Sequence, residues 1–391
     1  MRYHYQIHKK VEFDIVVCGA GPAGSVAAFE AAKGGPSVLL IDRKEHPGIP
    51  VCCAEGVSRS MVSGFIDLEK DWIATRVNGA MVISGSDMVS ISYPGVGYIL
   101  DRKRFDLGLV NRAIKAGCQF IVGEITEIRK AHLILNRKDR IDFKVPILAD
   151  GVESVLARRL GIRTTLSPSD LHTCAQFLIT GIDHPEDKAT FILDAELIPG
   201  GYGWIFPKGD NVYNFGLGVS PGRSKLKPFE YLKKLKGRYI PKARIIKKTG
   251  GVVPAKILDL KESERFIIGD AGRLTDPLSG GGIANAIRSG FLAGRYATLI
   301  LKGKGDYQEY YHELKNLIID EIRFHEKVRK VYLKLKDEDF KELIRVLDRI
   351  YKGREVRDIN SKDLVGQILR SSPQLLRLGL RLIKDIILDR W

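Results

Sequence analysis

Six residues near the N-terminus, Gly19-Ala20-Gly21-Pro22-Ala23-Gly24, restrict what this chain can fold into more than any other stretch. Glycine lets a turn close tightly and lets backbone N–H groups approach a ligand where a helix begins, the end at which the helix dipole favours an anion. The flanks complete the unit. Phe13-Asp14-Ile15-Val16-Val17-Cys18 is apolar and β-branched, as a strand buried in a parallel sheet must be. Residues 25–33 are alanine-rich and read as a helix, Gly34-Gly35-Pro36 stops it, and residues 37–41 form a second apolar strand. Asp42 closes that strand, near the roughly 20-residue spacing of an acid that binds a nucleotide ribose. This order predicts a dinucleotide-binding βαβ unit whose glycines hold the pyrophosphate.

Composition bounds what is attached to that unit. At 391 residues and 44% hydrophobic content the chain can bury a substantial core, and two domains plus an appendage are expected. No apolar run approaches the roughly 20 residues of a membrane span, and residues 1–10 are polar without a signal-peptide core, so the expected location is cytoplasmic. Cys18, Cys52, Cys53, Cys118 and Cys174 lack metal-ligand spacing and the histidines are scattered; free thiols and no metal are expected. The net charge of +16 suits nucleic acid, an anionic membrane face or an anionic substrate, and composition leaves the three open. Lysine and arginine concentrate in residues 225–248 and in the helices after Ile322, many opposite apolar residues as on a solvated face. No finger, aromatic RNA-binding signature or helix-turn-helix pattern accompanies them, so nucleic acid is not an expected partner.

Downstream, turn formers fill residues 46–58, and short strands separated by glycines follow between Ala80 and Leu100. Asp101-Arg102-Lys103-Arg104-Phe105-Asp106 opens a helix that Gly117 ends, and Gln119 begins another strand. Strands fit 131–135 and 145–149, the latter running into Asp150-Gly151 and a helix at 155–160. Residues 173–257 read as short strands with glycine and proline turns, which suits an antiparallel substrate domain. Phe266-Ile267-Ile268 then leads into Gly269-Asp270-Ala271-Gly272, Pro277, Gly280-Gly281-Gly282 and a long helix; beyond Lys302 the pattern is helical, with breaks at 352–353 and 371–373. The expected class is α/β: a Rossmann-like nucleotide-binding domain from 1–71, 101–165 and 262–303, a mixed or antiparallel sheet domain from 72–100 and 166–261, and a C-terminal helical region, 304–391.

Three motifs in fixed order resemble the two-domain FAD proteins typified by para-hydroxybenzoate hydroxylase: residues 19–24, Asp150-Gly151 with Ser154 and Arg158, and Gly269-Asp270 with Pro277 and Gly282. Three more segments resemble the geranylgeranyl reductase family within that group. These are Cys53-Ala54-Glu55-Gly56, Asp101-Arg102-x-x-Phe105-Asp106, and Pro199-x-x-Tyr202-x-Trp204-x-Phe206-Pro207 followed by Gly216-x-Gly218. The similarity spans nearly the whole chain and is strongest to the archaeal members that saturate geranylgeranyl chains of membrane phospholipids. It implies FAD as cofactor, with Gly19, Gly21, Ala23 and Gly24 at the pyrophosphate, Asp42 at the adenosine ribose and the Ile125 backbone at the adenine. It also implies that Cys53, Ala54 and Gly56 lie along the flavin, and that the Arg102 fork reaches the pyrophosphate or ribityl side. Asp270 would bind the ribityl or pyrophosphate portion, and Gly282 and Ile283 would offer backbone N–H groups near ring N1 and O2. Two positions depart from the family pattern: Cys52 precedes Cys53, and residue 42 is Asp rather than Glu.

The implied reaction saturates isolated double bonds by hydride from reduced FAD plus a proton. Such a bond is unactivated, so protonation must leave a tertiary, carbocation-like carbon for the hydride to reach. Tyr202 and Trp204, two apart on a strand and therefore on one face, are expected to line the tunnel and stabilise that charge by cation–π attraction of about 0.5–2 kcal/mol. Candidate proton donors are Glu55, Tyr202 and Cys53. The implied partners are a prenylated glycerophospholipid and an external electron donor, whether nicotinamide, ferredoxin or another carrier. Residues 373–391 mix leucine and isoleucine with arginine and lysine, which suits peripheral contact with the membrane's cytoplasmic face or packing on the protein. Two rival readings share these motifs: an FAD monooxygenase of a hydrophobic substrate, and a non-catalytic FAD-containing lipid-binding protein.

Overall fold

A computed structural model of the chain describes residues 11–261, 264–357 and 360–377. Residues 1–10, and the part of the expected amphipathic segment beyond residue 377, lie outside the described residues. In chain order the strands are β1 (Val11–Cys18), β2 (Val38–Asp42), β3 (Gly56–Ser58), β4 (Ile73–Ser84), β5 (Asp87–Leu100), β6 (Gln119–Val122), β7 (Ile125–Ile128) and β8 (His132–Leu135). They continue with β9 (Asp139–Leu148), β10 (Leu171–Thr180), β11 (Ala189–Ile192), β12 (Gly203–Gly209), β13 (Val212–Val219), β14 (Arg244–Pro254) and β15 (Phe266–Ile267). The helices are α1 (Pro22–Lys33), α2 (Arg59–Val62), α3 (Arg102–Lys115), α4 (Val155–Arg159), α5 (Pro228–Tyr239) and α6 (Ile283–Leu301). Four more, α7 (Tyr307–Leu314), α8 (Asp320–Tyr332), α9 (Asp337–Tyr351) and α10 (Ser361–Ser371), form the C-terminal region.

Among the described residues the strands form two sheets. The first has the order β6-β2-β1-β9-β8-β7, with β15 also paired to β9. Its β6, β2, β1, β9 and β15 run parallel, while β7 and β8 fold back as antiparallel neighbours. The continuous apolar run of β1 is explained by cover on both faces: Ile15 and Val17 pack under α1 and α6, and Val16 and Cys18 pack into the opposite layer with Leu133, Ile141 and Leu156. Glycine brings α1 and α6 together, since a Cβ on Gly290 would lie 2.3 Å from the Ala23 carbonyl oxygen.

The second sheet has the order β14-β10-β13-β12-β11-β4-β5-β3, antiparallel except where β11 meets β4. The structure therefore has the expected α/β class, with a Rossmann-like sheet, a mixed second sheet and helices after residue 304. One expectation needs correction. Residues 173–257 are not strands throughout, because α5 interrupts them and covers one face of the second sheet, where Tyr231, Leu232 and Leu235 meet Phe177, Phe215 and Leu217. Pro228 starts this helix, and the Lys227 N–H donates to the Glu230 carboxylate at 2.8 Å. Its apolar residues recur at helical spacing, but the lysines between them read as a charge run. Among the described residues no helix is long and apolar enough to cross a membrane.

Candidate functional site

The glycine turn is built by close contacts that exclude side chains. Gly19 has φ +113°, and a Cβ there would sit 2.3 Å from the Ala149 carbonyl oxygen; one on Gly24 would sit 1.8 Å from the Gly19 oxygen. A Cβ on Gly21 would meet nothing within 4 Å, so this position opens onto free space. Gly21 is also the N-cap of α1 and no side chain caps the helix, which leaves its first amides for a ligand. Asp42 braces the turn, accepting from the Ala20 N–H at 2.7 Å and from the Lys44 N–H at 2.8 Å.

Two acid-glycine turns meet the same place. Gly269 (φ +56°) wedges against α1, with an added Cβ 2.9 Å from that of Ala23. Asp270 accepts from the Thr275 hydroxyl at 2.7 Å, and its Oδ1 lies 3.1 Å from where a Gly282 Cβ would be. Gly282 is the N-cap of α6, again without a side-chain cap. Ser154 ties the Asp150-Gly151 turn to this one by donating to the Ala271 carbonyl at 3.0 Å. The intervening turn is organised by Asp276, whose Oδ1 accepts from the Leu278 N–H (3.0 Å), the Ser279 N–H (2.7 Å) and the Ser279 hydroxyl (2.9 Å). The other carboxylate oxygen bonds His325 Nδ1, reaching in from α8. Burial disfavours charge on both, but their mutual attraction outweighs it, so Asp276 is held below and His325 above its ordinary pKa. Beside them His172 is pushed down to about 4 by burial and by the Arg329 charge and stays neutral.

The loop before β3 carries the next group. Glu55 takes a left-handed conformation (φ +70°), and its buried carboxylate is held by Lys208 Nζ at 2.7 Å, Asn214 Nδ2 at 2.8 Å and the Arg102 N–H at 3.1 Å. Lys208 also donates to the Leu100 carbonyl at 2.9 Å. Asn214 Nδ2 reaches the Ala54 carbonyl at 3.1 Å. Gln176 then links this loop to the second sheet: its Nε2 donates to the Cys53 carbonyl at 3.1 Å and to Asn214 Oδ1 at 3.2 Å, while its Oε1 accepts from Trp204 Nε1 at 2.9 Å. Burial pushes the Cys53 thiol up against the lowering influence of Arg102, so it keeps its proton at neutral pH. The Arg102 fork is bidentate on Asp106, at 2.6 and 2.7 Å.

Opposite that loop stands an apolar wall. Phe191, Tyr202, Trp204 and Phe206 pack edge to face or tilted, with centroids 5.7 Å apart for Phe191–Tyr202, 5.5 Å for Phe191–Phe206 and 6.0 Å for Tyr202–Trp204. Val77, Ile99, Val96, Ala54, Cys174 and Ala189 complete the cluster. Gly56 lets the loop approach, since a Cβ there would lie 3.2 Å from the Phe206 ring. The Tyr202 hydroxyl donates to the Ser279 carbonyl, joining the wall to the turn that Asp276 organises. Burial raises the Tyr202 pKa, and that of Tyr332, which donates to the Gly201 carbonyl at 2.6 Å.

Known proteins match the chain over almost its full length. It is 35% identical to digeranylgeranylglycerophospholipid reductase 1 of Methanococcoides burtonii across 94% of each sequence. The chain belongs to the geranylgeranyl reductase family. Residues 170–253 match the geranylgeranyl reductase catalytic domain, and residues 14–48 match the FAD-dependent oxidoreductases. Digeranylgeranylglycerophospholipid reductase 2 of Methanopyrus kandleri is 32% identical over 96% of this chain and 100% of its own. A geranylgeranyl bacteriochlorophyll reductase-like protein of Thermoplasma acidophilum superposes with a TM-score of 0.88 at 27% identity, covering 96% of this chain and all of that one. A flavin-dependent brominase shares the fold at TM-score 0.64 and 18% identity.

The cofactor is FAD, and the residues present fit it: Gly21 leaves an open cradle at an uncapped helix start, where a dinucleotide pyrophosphate fits. Around that cradle the structure gathers Gly19, Ala23, Gly24, Asp42, Asp270, Gly282 and Ile283. Tyr202 and Trp204 belong to the wall itself, Ala54 joins its cluster, and Cys53, Glu55, Gly56 and Arg102 form the adjoining loop group. Ile125 stands apart on β7 at the sheet's edge, its carbonyl accepting from Arg159 Nη1 at 2.9 Å. Gln176, Asn214, Lys208, Asp276 and His325 escape a sequence reading of this geranylgeranyl reductase family member. Each is a single polar residue whose partner lies far away in the chain. The one available signal was polarity inside otherwise apolar strands, at Gln176 and Asn214.

Proposed function

We propose that this chain is an FAD-dependent reductase that saturates isolated double bonds of geranylgeranyl chains in archaeal-type membrane phospholipids. The buried aromatic wall of Phe191, Tyr202, Trp204 and Phe206, facing loop 53–56, carries this reading, because such a surface accepts a prenyl chain and not a small polar substrate. The curated relatives carry the name digeranylgeranylglycerophospholipid reductase. When bound, reduced FAD supplies the hydride. The glycine turn and the start of α1 hold the pyrophosphate, Asp270 the ribityl portion, and the Gly282 and Ile283 amides the flavin edge. Trp204 and Tyr202 stabilise positive charge on the substrate carbon through their ring faces.

Of the candidate proton donors, Glu55 is committed to Lys208 and Asn214 and acts by positioning the loop. Tyr202 directs its proton to the Ser279 carbonyl. Cys53 retains a proton, and we assign it as the group that holds one at the substrate side. The chain is proposed to divide into an FAD domain (1–71, 101–165, 262–303), a prenyl-chain domain (72–100, 166–261) and a helical region (304–391), working at the cytoplasmic membrane face with an external electron donor. Photoreduced enzyme mixed anaerobically with digeranylgeranyl phospholipid tests this. Flavin reoxidation with a gain of two hydrogens per reduced bond is expected; gain of an oxygen atom in air identifies a monooxygenase, and absence of reoxidation a lipid carrier.

A further inference from the structure

Between residues 231 and 258 the chain holds nine lysines and arginines and no acidic residue, a local excess that supplies more than half of the +16. The fold places the middle of this run on β14, which forms an edge of the second sheet. Here Arg244, Ile245, Ile246, Lys247 and Lys248 are all exposed, Ile245 at 41% and Ile246 at 54%. Among the described residues, Lys233, Lys234, Lys242, Lys247 and Lys248 form no ion pair, while Arg238 on the same run is occupied by Asp194 and Glu196. Lysines alone would be explained as guards that keep an edge strand from pairing with other chains. That explanation leaves the adjacent isoleucines unaccounted for, since apolar side chains on an open edge promote the pairing that the lysines oppose.

The patch continues to the loop that leads into Cys53. Thr249 on β14 donates to the Val51 carbonyl at 3.0 Å, and Gly251 faces Cys52, where an added Cβ would lie 3.7 Å from the carbonyl oxygen. Ile49, 43% exposed, belongs to the same loop, and Val252 is 41% exposed further along the strand. Four exposed aliphatic side chains and unpaired cations thus lie along one sheet edge and the loop that meets it, projecting from both faces of β14. Apolar groups flanked by free lysines are the composition that partitions into the boundary of an anionic bilayer. We propose that β14 and the adjoining loop 49–52 dock on the anionic surface of a lipid bilayer and bring the opening of the prenyl site to the membrane. The inference rests on the reading of the substrate as a membrane lipid, and it gives the excess charge a location.

Full-length, FAD-loaded protein is mixed with phosphatidylglycerol-rich and with phosphatidylcholine vesicles and sedimented at low and high salt. Binding to the anionic vesicles that falls with salt is expected. The double variant Lys247→Glu/Lys248→Glu weakens it by at least about tenfold, from roughly 1 kcal/mol per surface cation. Ile245→Ser/Ile246→Ser lowers the fraction that stays bound at high salt, where only apolar contact persists. Both variants keep their FAD and reduce detergent-dispersed lipid as the parent does. Equal binding of parent and variants, or equal binding to both vesicle types, overturns the proposal. So does a charge reversal that abolishes docking of an acidic electron-carrier protein, or of duplex DNA, while vesicle binding persists. Sedimentation needs no turnover, so failure of the reductase reading shows separately, as parent protein that does not reduce dispersed lipid.

Discussion

Replacing Gln176 by Leu tests whether the loop beside the flavin and the aromatic wall act as one unit. The side chains are close in volume, so packing changes little, but three buried partners lose their hydrogen bonds: the Trp204 indole N–H, the Cys53 carbonyl and Asn214 Oδ1. Each abandoned buried group costs about 1–3 kcal/mol. Asn214 keeps its bonds to Ala54 and Glu55, so a total of roughly 2–4 kcal/mol is expected rather than the full sum. At about 2.1 cal/mol/K per residue the 391-residue chain has an unfolding entropy near 0.8 kcal/mol/K, so Tm should fall by roughly 2.5–5 °C. Displacing the wall relative to the loop should also slow single-turnover flavin reoxidation by prenyl lipid about tenfold or more. Melting followed by flavin fluorescence reads the first effect and anaerobic stopped-flow the second. A cycle with Trp204→Phe, which removes the shared N–H together with part of the indole ring, should give a coupling of about 1 kcal/mol. Unchanged Tm and rate, or additive effects in the cycle, would refute the linkage.

Gly24→Ala forces a methyl group to within 1.8 Å of the Gly19 oxygen, so the purified variant should carry almost no FAD by absorbance; full flavin occupancy would show that the turn can yield. Trp204→Leu should retain FAD but reduce prenyl lipid about two- to thirtyfold more slowly, the range spanned by a cation–π term of about 0.5–2 kcal/mol. The Asp276–His325 pair makes stability pH-dependent in a defined sense. His325 has its folded pKa raised above 6.5, so its contribution is complete below 6.5 and is lost as pH rises through the raised value. Asp276 is lowered below 3.8, so its contribution is present above 3.8 and is lost only as pH falls through the lowered value. Melting curves from about pH 6 to pH 9 should therefore show a decline in the parent that is smaller in His325→Gln; parallel curves would rule the pair out as its source.

The βαβ unit, the acid-glycine turns and the aromatic strand are readable because each is a local demand. A positive φ at Gly19 and an apolar run buried on both faces in β1 are consequences of neighbouring residues, as is Trp204 on β12, although the strand begins at Gly203 and leaves Tyr202 just before it. Helix α5 shows where locality fails, since its apolar spacing is overlaid by lysines and only the sheet beneath it reveals which face is buried. Tertiary structure alone decided the company each site residue keeps. Glu55 reads as an acid in a loop, yet Lys208 and Asn214, more than 150 residues away, make it a brace. Gln176 and Asp276 acquire their meaning in the same way, from Trp204 and Cys53 and from His325 on a C-terminal helix. The glycine turn at residues 19–24 determines that a dinucleotide is held, because backbone conformation is encoded within a few residues. Which side chains complete that site is set by hydrogen bonds between distant segments, and those partners exist only once both sheets have closed around it.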